Sequence, residues 1–178
     1  MFQDESHLLW GDMIGYAWGI RGKRLEIDIK NERRKQSYYG AVNLLTGEAF
    51  ANPYSAGNSE ETIRFLKSLR RRFQGRRIIL LWDGASYHRS KEVKAYLASI
   101  NGNLPENERK IELIRFAPNA PEQNPMEDVW LAAKNQLRTR QVELTTFNDV
   151  VASFSTFTNN FTLKSAKFDW YKPSPHPV

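Results

Sequence analysis

The chain has 178 residues, 40% hydrophobic and 26% charged, which is the size and balance of one ordinary folded domain. No apolar stretch approaches the roughly 20 residues that a membrane-spanning helix needs, and the N-terminus does not resemble a signal peptide, so we expect a cytoplasmic protein. The absence of cysteine excludes disulfides, thiol chemistry and cysteine-bound zinc. Any metal must therefore bind to oxygen ligands, which favours magnesium or manganese.

Positive charge is concentrated in two short segments. The chain has 26 Lys and Arg against 20 Asp and Glu. The clustered cations are Arg33, Arg34, Lys35, Arg70, Arg71 and Arg72, with Arg76 and Arg77 close by. Such clusters are typical of proteins that bind the phosphate backbone of nucleic acid. The alternative explanation is a solvated helix end, where the helix dipole favours cations whatever the function.

The first half of the chain predicts strands followed by a helix. Segments 15–20 and 37–44 are rich in aromatic and β-branched residues, and a turn at 46–47 leads into an extended piece at 48–50. From Ser59 the apolar residues recur at helical spacing. Ser59 is a plausible N-cap, and Gly75 ends that helix.

A buried strand ends in an acid. Residues 78–82 form an unbroken apolar run with β-branched members, which is typical of a strand covered on both faces, and Asp83 follows directly. Open α/β sheets place their chemistry at the carboxyl ends of such strands. The alternative is that Asp83 opens a turn with Gly84.

The second half of the chain alternates between helices and strands. Ser90 caps a helix, residues 101–110 form a polar loop, 111–116 form a strand, and helices begin near Met126 and Phe147. The phenylalanine stripe of the last helix is expected to belong to the core. We predict one domain over residues 1–165 and an extended or disordered tail over 166–178.

Three motifs then narrow the fold. They are Asp4-Glu5-Ser6, the segment from Trp82 through Asp83 to His88, and the segment from Asn124 through Glu127 to Trp130. In this order they resemble the catalytic domain of mariner-like bacterial insertion-sequence transposases. The resemblance spans residues 2–161 and implies the ribonuclease H-like fold, an α/β fold with a mixed five-stranded sheet flanked by helices.

The resemblance implies that Asp4, Asp83 and Glu127 are the catalytic triad. The three carboxylates would bind two Mg²⁺ or Mn²⁺ ions, which in two-metal sites lie roughly 3.5–4 Å apart. If Asp4 lies on the first strand and Asp83 on its neighbour, the ladder spacing of about 4.8 Å lets them share a metal. The implied activity is metal-dependent DNA cleavage and strand transfer at transposon ends and target DNA, by a homodimer at the bacterial nucleoid.

Each site residue also has an ordinary structural interpretation. With Asn124 as N-cap and Pro125 at the first helical position, Glu127 falls where a capping-box glutamate bonds back to the cap. Asp4 could be a frayed terminal acid. His88 matches a histidine of the family, for which we predict a contact to phosphate or water, or else packing at a helix start.

Two departures from the family leave other functions open. No helix-turn-helix domain precedes Asp4, so we expect recognition of transposon ends to come from a separately encoded half. The polar loop at 101–110 makes the spacing between Asp83 and Glu127 longer than is common among mariner relatives. The alternatives are an inactive or truncated transposase remnant that only binds DNA, and a hydrolase or phosphoryl-transfer domain with Asp83 as nucleophile.

Overall fold

A mixed five-stranded β-sheet organises the chain, as the sequence predicted. The computed structural model describes residues 1–13, 21–22, 33–117 and 121–171. The strands are β1 (Phe2–Leu9), β2 (Lys35–Val42), β3 (Ala49–Tyr54), β4 (Ile78–Trp82) and β5 (Ile111–Arg115). Their order in the sheet is β3-β2-β1-β4-β5. Strand β2 is antiparallel to both β1 and β3, whereas β4 is parallel to both β1 and β5.

Four α-helices flank the sheet. They are α1 (Ser59–Arg72), α2 (Lys91–Asn101), α3 (Pro125–Thr139) and α4 (Phe147–Asn160). Ser90 caps α2 as predicted, because its hydroxyl accepts the amide of Val93. The cap of α1 is Asn58 rather than the predicted Ser59, since the Asn58 side chain accepts the amide of Glu61.

Two hydrophobic layers cover the two faces of the sheet. Helices α3 and α4 pack on one face, and α1 and α2 pack on the other. Phe2 and Leu8 of β1 are buried in the α3 and α4 layer. Because side chains alternate along a strand, Asp4 faces that layer as well, whereas Glu5 faces the α1 side. The phenylalanine stripe of α4 is core as predicted, with Phe154 fully buried.

The first six residues of the predicted tail are helical. Residues 166–171 form a 3-10 helix, where the sequence predicted an extended or disordered segment. The reason is packing: Phe168 is buried beside Phe2, and the ammonium of Lys167 lies 2.8 Å from a carboxylate oxygen of Asp128. The strand predicted at 15–20 and the tail from residue 172 lie outside the described residues. Within the described ranges, no helix combines the length and the apolar character needed to cross a membrane.

Candidate active site

The three predicted triad acids lie on adjoining elements. Asp4 is in the middle of β1, Asp83 directly follows β4, and Glu127 is in the first turn of α3. Phe2 and Leu81 are register partners on the parallel strands β1 and β4. Asp4 and Asp83 each lie two residues further on, so they come to the same level on neighbouring strands.

Asp4 lies where a negative charge is unfavourable without a cation. Burial raises its pKa from 3.8 to about 8, and the carboxylates of Glu127 and Glu5 add to this effect. Against this, the indole N–H of Trp130 donates a 3.0 Å hydrogen bond to Asp4 Oδ2. A half-buried carboxylate with two acidic neighbours fits a divalent cation bound by oxygen ligands.

Helix α3 is tied to β1 by its N-cap. The buried Asn124 side chain donates to the carbonyl of Gln3 and accepts the amide of Met126, both at 3.1 Å. Pro125 occupies the first helical position as predicted. The capping-box alternative for Glu127 is wrong: in the described part of the chain its carboxylate makes no bond back to Asn124. Glu127 is instead exposed and directed by the helix towards the Asp4 side.

Asp83 is linked to a buried histidine. His88 Nδ1 lies 3.0 Å from Asp83 Oδ1, in an ion-pair contact that lacks good hydrogen-bond alignment. The other ring nitrogen, Nε2, lies 2.8 Å from Glu5 Oε1. Burial opposes the charged ring, but Asp83 and Glu5 outweigh it and raise the pKa of His88 to about 9. His88 in turn is the main cause that lowers the pKa of Asp83.

The prediction that His88 contacts DNA phosphate is not supported by this geometry. Its side chain is only 1% exposed, and both ring nitrogens face carboxylates. Packing at a helix start, the alternative from the sequence, describes it better. Asp83 also makes the turn contact that the sequence offered as an alternative, since its Oδ1 accepts the amide of Ala85 at 2.9 Å.

Arg115 was missed by the sequence analysis. It is the last residue of β5 and the register partner of Trp82, so it emerges beside Asp83 and helps to lower the pKa of that carboxyl. Its guanidinium lies against the α-carbon of Gly84, where a side chain would collide with it. The signal available in the sequence was the cation at the end of the second predicted parallel strand.

The clustered arginines of α1 lie apart from the three acids. Helix α1 packs on the face opposite to Asp4, and its C-terminal half borders a groove of about 820 Å³ beside strand β3. The cations that line this groove are Arg64, Lys67, Arg70 and Arg71. No carboxylate lines it within the described residues, so it is a positively charged surface. A second basic cavity, with Arg76 and Arg77, adjoins it through Arg70.

The other basic segment lies at the start of β2. Arg33, Arg34 and Lys35 are exposed, and Lys35 pairs in register with Leu9 at the end of β1. The two predicted basic segments therefore lie on different elements, α1 and the start of β2, whereas Arg115 lies next to the triad acid Asp83.

Comparison with solved structures shows the same fold. The Mos1 mariner paired end complex with Mn matches with a TM-score of 0.61 and 16% identity over 96% of this chain and 50% of that chain. The catalytic domain of Mos1 mariner transposase matches with a TM-score of 0.57 and 14% identity, over 96% of this chain and 72% of that chain. The catalytic core domain of BIV integrase matches with a TM-score of 0.54 and 14% identity, over 88% of this chain and 80% of that chain. The predicted ribonuclease H-like fold is therefore confirmed.

Two further comparisons bear on the family. The chain spans about half the length of the Mos1 chains in the paired-end complexes, and no curated protein matches it. The family model for the DDE superfamily endonuclease matches residues 1–147, which include Asp4, Asp83 and Glu127. With this match over most of its length, the chain belongs to the DDE superfamily endonucleases.

Proposed function

We propose that this chain is the catalytic domain of an insertion-sequence transposase that cleaves DNA and transfers the freed strand to target DNA. The observation that supports the proposal is the placement of Asp4, Asp83 and Glu127 on three adjoining elements. Two of them are brought level by the register of β1 and β4, and the third raises the pKa of the first. These are the positions that the resemblance to mariner-like transposases assigns to the triad.

The three carboxylates are the groups that would hold Mg²⁺ or Mn²⁺. Bound divalent cations activate the attacking oxygen and stabilise the leaving oxygen of a phosphodiester. The chain fixes each acid separately: Trp130 bonds Asp4, His88 contacts Asp83, and the Asn124 cap anchors the helix of Glu127. A Mos1 mariner paired end complex has been solved with Mn, which supports the choice of metal.

DNA is the proposed substrate because of the surface charge. Arg115 lies beside Asp83, where a scissile phosphate would approach, and the groove of α1 offers further cations to the backbone. The Mos1 structures include a complex with a transposon end. By the same resemblance we propose a homodimer that acts on two DNA ends at the nucleoid, with a separately encoded helix-turn-helix half for end recognition.

Nicking of a supercoiled plasmid in Mn²⁺ tests the proposal. We expect the wild-type protein to nick, and the Asp83→Asn and Glu127→Gln variants to lose more than about a hundredfold in rate, the scale seen when one key electrostatic group is removed. Glu106→Gln is the matched control, since it removes one exposed carboxylate from the loop at 101–110.

The possible results separate the alternatives. Unchanged nicking by both triad variants would show that these carboxylates do not carry the reaction. Salt-sensitive DNA binding without any metal-dependent product would instead favour the inactive remnant. A trapped acyl phosphate on Asp83, with no requirement for Glu127, would favour the phosphoryl-transfer domain.

A further inference from the structure

Glu5 and His88 form a buried pair that the triad does not include. Glu5 Oε1 accepts His88 Nε2 at 2.8 Å, and the two side chains are 9% and 1% exposed. The same Glu5 oxygen also accepts a hydrogen bond from the side-chain amide nitrogen of Gln3, at 2.8 Å. Glu5 is next to Asp4 in sequence but faces the opposite side of the sheet, so the two acids of one strand have different surroundings.

The His88 ring is held in one plane. It stacks on Trp82, with ring centres 4.1 Å apart and planes 6° apart, and Tyr87 packs edge-on against it at 4.7 Å. The bond to Glu5 fixes its rotation within that plane. The remaining nitrogen, Nδ1, then lies 3.0 Å from Asp83 Oδ1, in an ion-pair contact that lacks good hydrogen-bond alignment.

One oxygen of Asp83 receives both contacts. Oδ1 faces His88 and accepts the amide of Ala85, while no described residue donates a hydrogen bond to Oδ2. Oδ2 is therefore the oxygen that remains available to a cation. A histidine can hold one oxygen of a carboxylate while a second carboxylate fixes the histidine. Such an arrangement orients the first carboxylate as a metal ligand.

The cluster could also be considered as a metal site, because one ligand atom from each of Glu5, Asp83 and His88 lies within 4.8 Å of the others. The separations argue against this. Each ring nitrogen lies directly against a carboxylate oxygen at hydrogen-bonding distance, so the contacts of the cluster are made between its own members. A cation would have to break at least one of them.

We propose that Glu5 and His88 are positioning residues that hold Oδ1 of Asp83 and so present its Oδ2 to the metal site shared with Asp4 and Glu127. This inference rests on the proposed function. It assigns a role to the second acid of the Asp4-Glu5-Ser6 motif and explains why a buried histidine follows the strand that carries Asp83.

Two substitutions of His88 separate positioning from packing. The amide nitrogen of Asn takes roughly the place of Nδ1, and that of Gln roughly the place of Nε2. His88→Asn therefore keeps the contact to Asp83, whereas His88→Gln keeps the contact to Glu5. Both substitutions remove the ring that stacks on Trp82. If His88 only packs, the two variants should therefore change metal binding equally. His7→Gln, on the exposed part of β1, is the control.

The measurement is Mn²⁺ binding by calorimetry in the presence of a short DNA duplex, with thermal unfolding of each variant. We expect His88→Gln to weaken binding by about 10–100-fold, as outer-shell changes do. His88→Asn and the control should stay close to the wild-type protein. Glu5→Gln, which keeps an acceptor for His88 but removes its charge, should give an intermediate loss.

Equal losses in the Asn and Gln variants, or no loss in either, would overturn the inference while leaving the triad intact. If the wild-type protein neither binds Mn²⁺ nor cuts DNA, the proposed function itself fails. A second readout is the ¹⁵N spectrum of the three histidines during Mg²⁺ addition. The signals of the two ring nitrogens of His88 should show no metal coordination, and coordination of either nitrogen would make the cluster a metal site and overturn the positioning role.

Discussion

The indole N–H of Trp130 donates a hydrogen bond to Oδ2 of Asp4 over 3.0 Å. Trp130 lies three residues after Glu127, on the same side of α3. The bond therefore joins the helix that carries one triad acid to the strand that carries another. Because the indole is also buried and stacked on Phe154, it sets the spacing of the site while it packs the core.

Replacing Trp130 with Phe should keep much of the packing and remove the donor. We expect the free energy of unfolding to fall by about 1–3 kcal/mol, the range for a lost hydrogen bond to an ionisable group. Metal-dependent nicking should slow as well, because α3 is no longer tied to Asp4. Urea unfolding and plasmid nicking measure both, with the exposed Trp170→Phe as control. A nicking rate equal to that of the wild-type protein would contradict this role.

Gly40 makes room for that bond. It is the register partner of Asp4 on β2, and a Cβ there would overlap Met126 and lie 2.7 Å from Trp130 Cζ2. Gly40→Ala should destabilise the protein by about 1–3 kcal/mol through overpacking. Gly11→Ala, where a Cβ meets nothing within 4 Å, is the matched control. Chemical denaturation of the two variants checks this, and equal stabilities would show that α3 adapts without cost.

The sequence predicted the elements that follow simple patterns. Helix α3 was predicted with its cap, because Asn124 and Pro125 mark a helix start. Strand β4 was predicted because its apolar run is unbroken. Strand β1 was inferred only from the family resemblance: Gln3, Asp4 and Glu5 interrupt the alternation that marks a strand.

The contacts of the site were beyond sequence reasoning for a physical reason. The positions of Arg115 beside Asp83 and of Glu5 beside His88 depend on strand register and on which face each side chain takes. A single sequence specifies neither of these until the sheet order is known. The burial of His88 likewise depends on the packed structure.

The raised pKa of Asp4 predicts a pH-dependent stability without metal. Between its ordinary value of 3.8 and about 8, the folded protein holds a proton that the unfolded chain has released. Stability should therefore fall as pH rises through this window. Asp4→Asn keeps an acceptor for Trp130 and has no charge, so its Tm should exceed that of the wild-type protein at pH 8 and match it near pH 4.

Thermal unfolding in a chelator tests this, and Mn²⁺ at pH 8 should then raise the Tm of the wild-type protein alone. The control is Glu106→Gln, because the carboxylate of Glu106 is exposed and lies 3.9 Å from Arg109, whereas Asp128→Asn would remove a 2.8 Å ion pair with Lys167. If the difference in Tm between Asp4→Asn and the wild-type protein does not change with pH, the environment assigned to Asp4 is contradicted.

Gly84 should control Arg115 without affecting the fold. A Cβ on Gly84 would lie 2.5 Å from a terminal guanidinium nitrogen of Arg115, which is the movable end of a flexible side chain. We expect Gly84→Ala to displace the guanidinium with little change in Tm. Both Gly84→Ala and Arg115→Gln should weaken DNA binding and lower the slope of log K against log salt concentration by about one. Fluorescence anisotropy at several salt concentrations measures DNA binding by each variant. Arg89→Gln, which removes an exposed cation, is the control. Unchanged slopes in the Gly84 and Arg115 variants would place Arg115 outside the DNA interface.

The groove beside α1 gives the last prediction. Arg70 and Arg71 line it, and its described lining residues include no carboxylate. If DNA phosphates occupy the groove, changing both arginines to Gln should lower the slope of log K against log salt by about two, since each phosphate contact contributes roughly 0.9. Lys91→Gln with Lys94→Gln removes the same charge from exposed positions of α2 and should change the slope less. Equal slopes for the two double variants would mean that net charge alone, rather than this groove, governs binding.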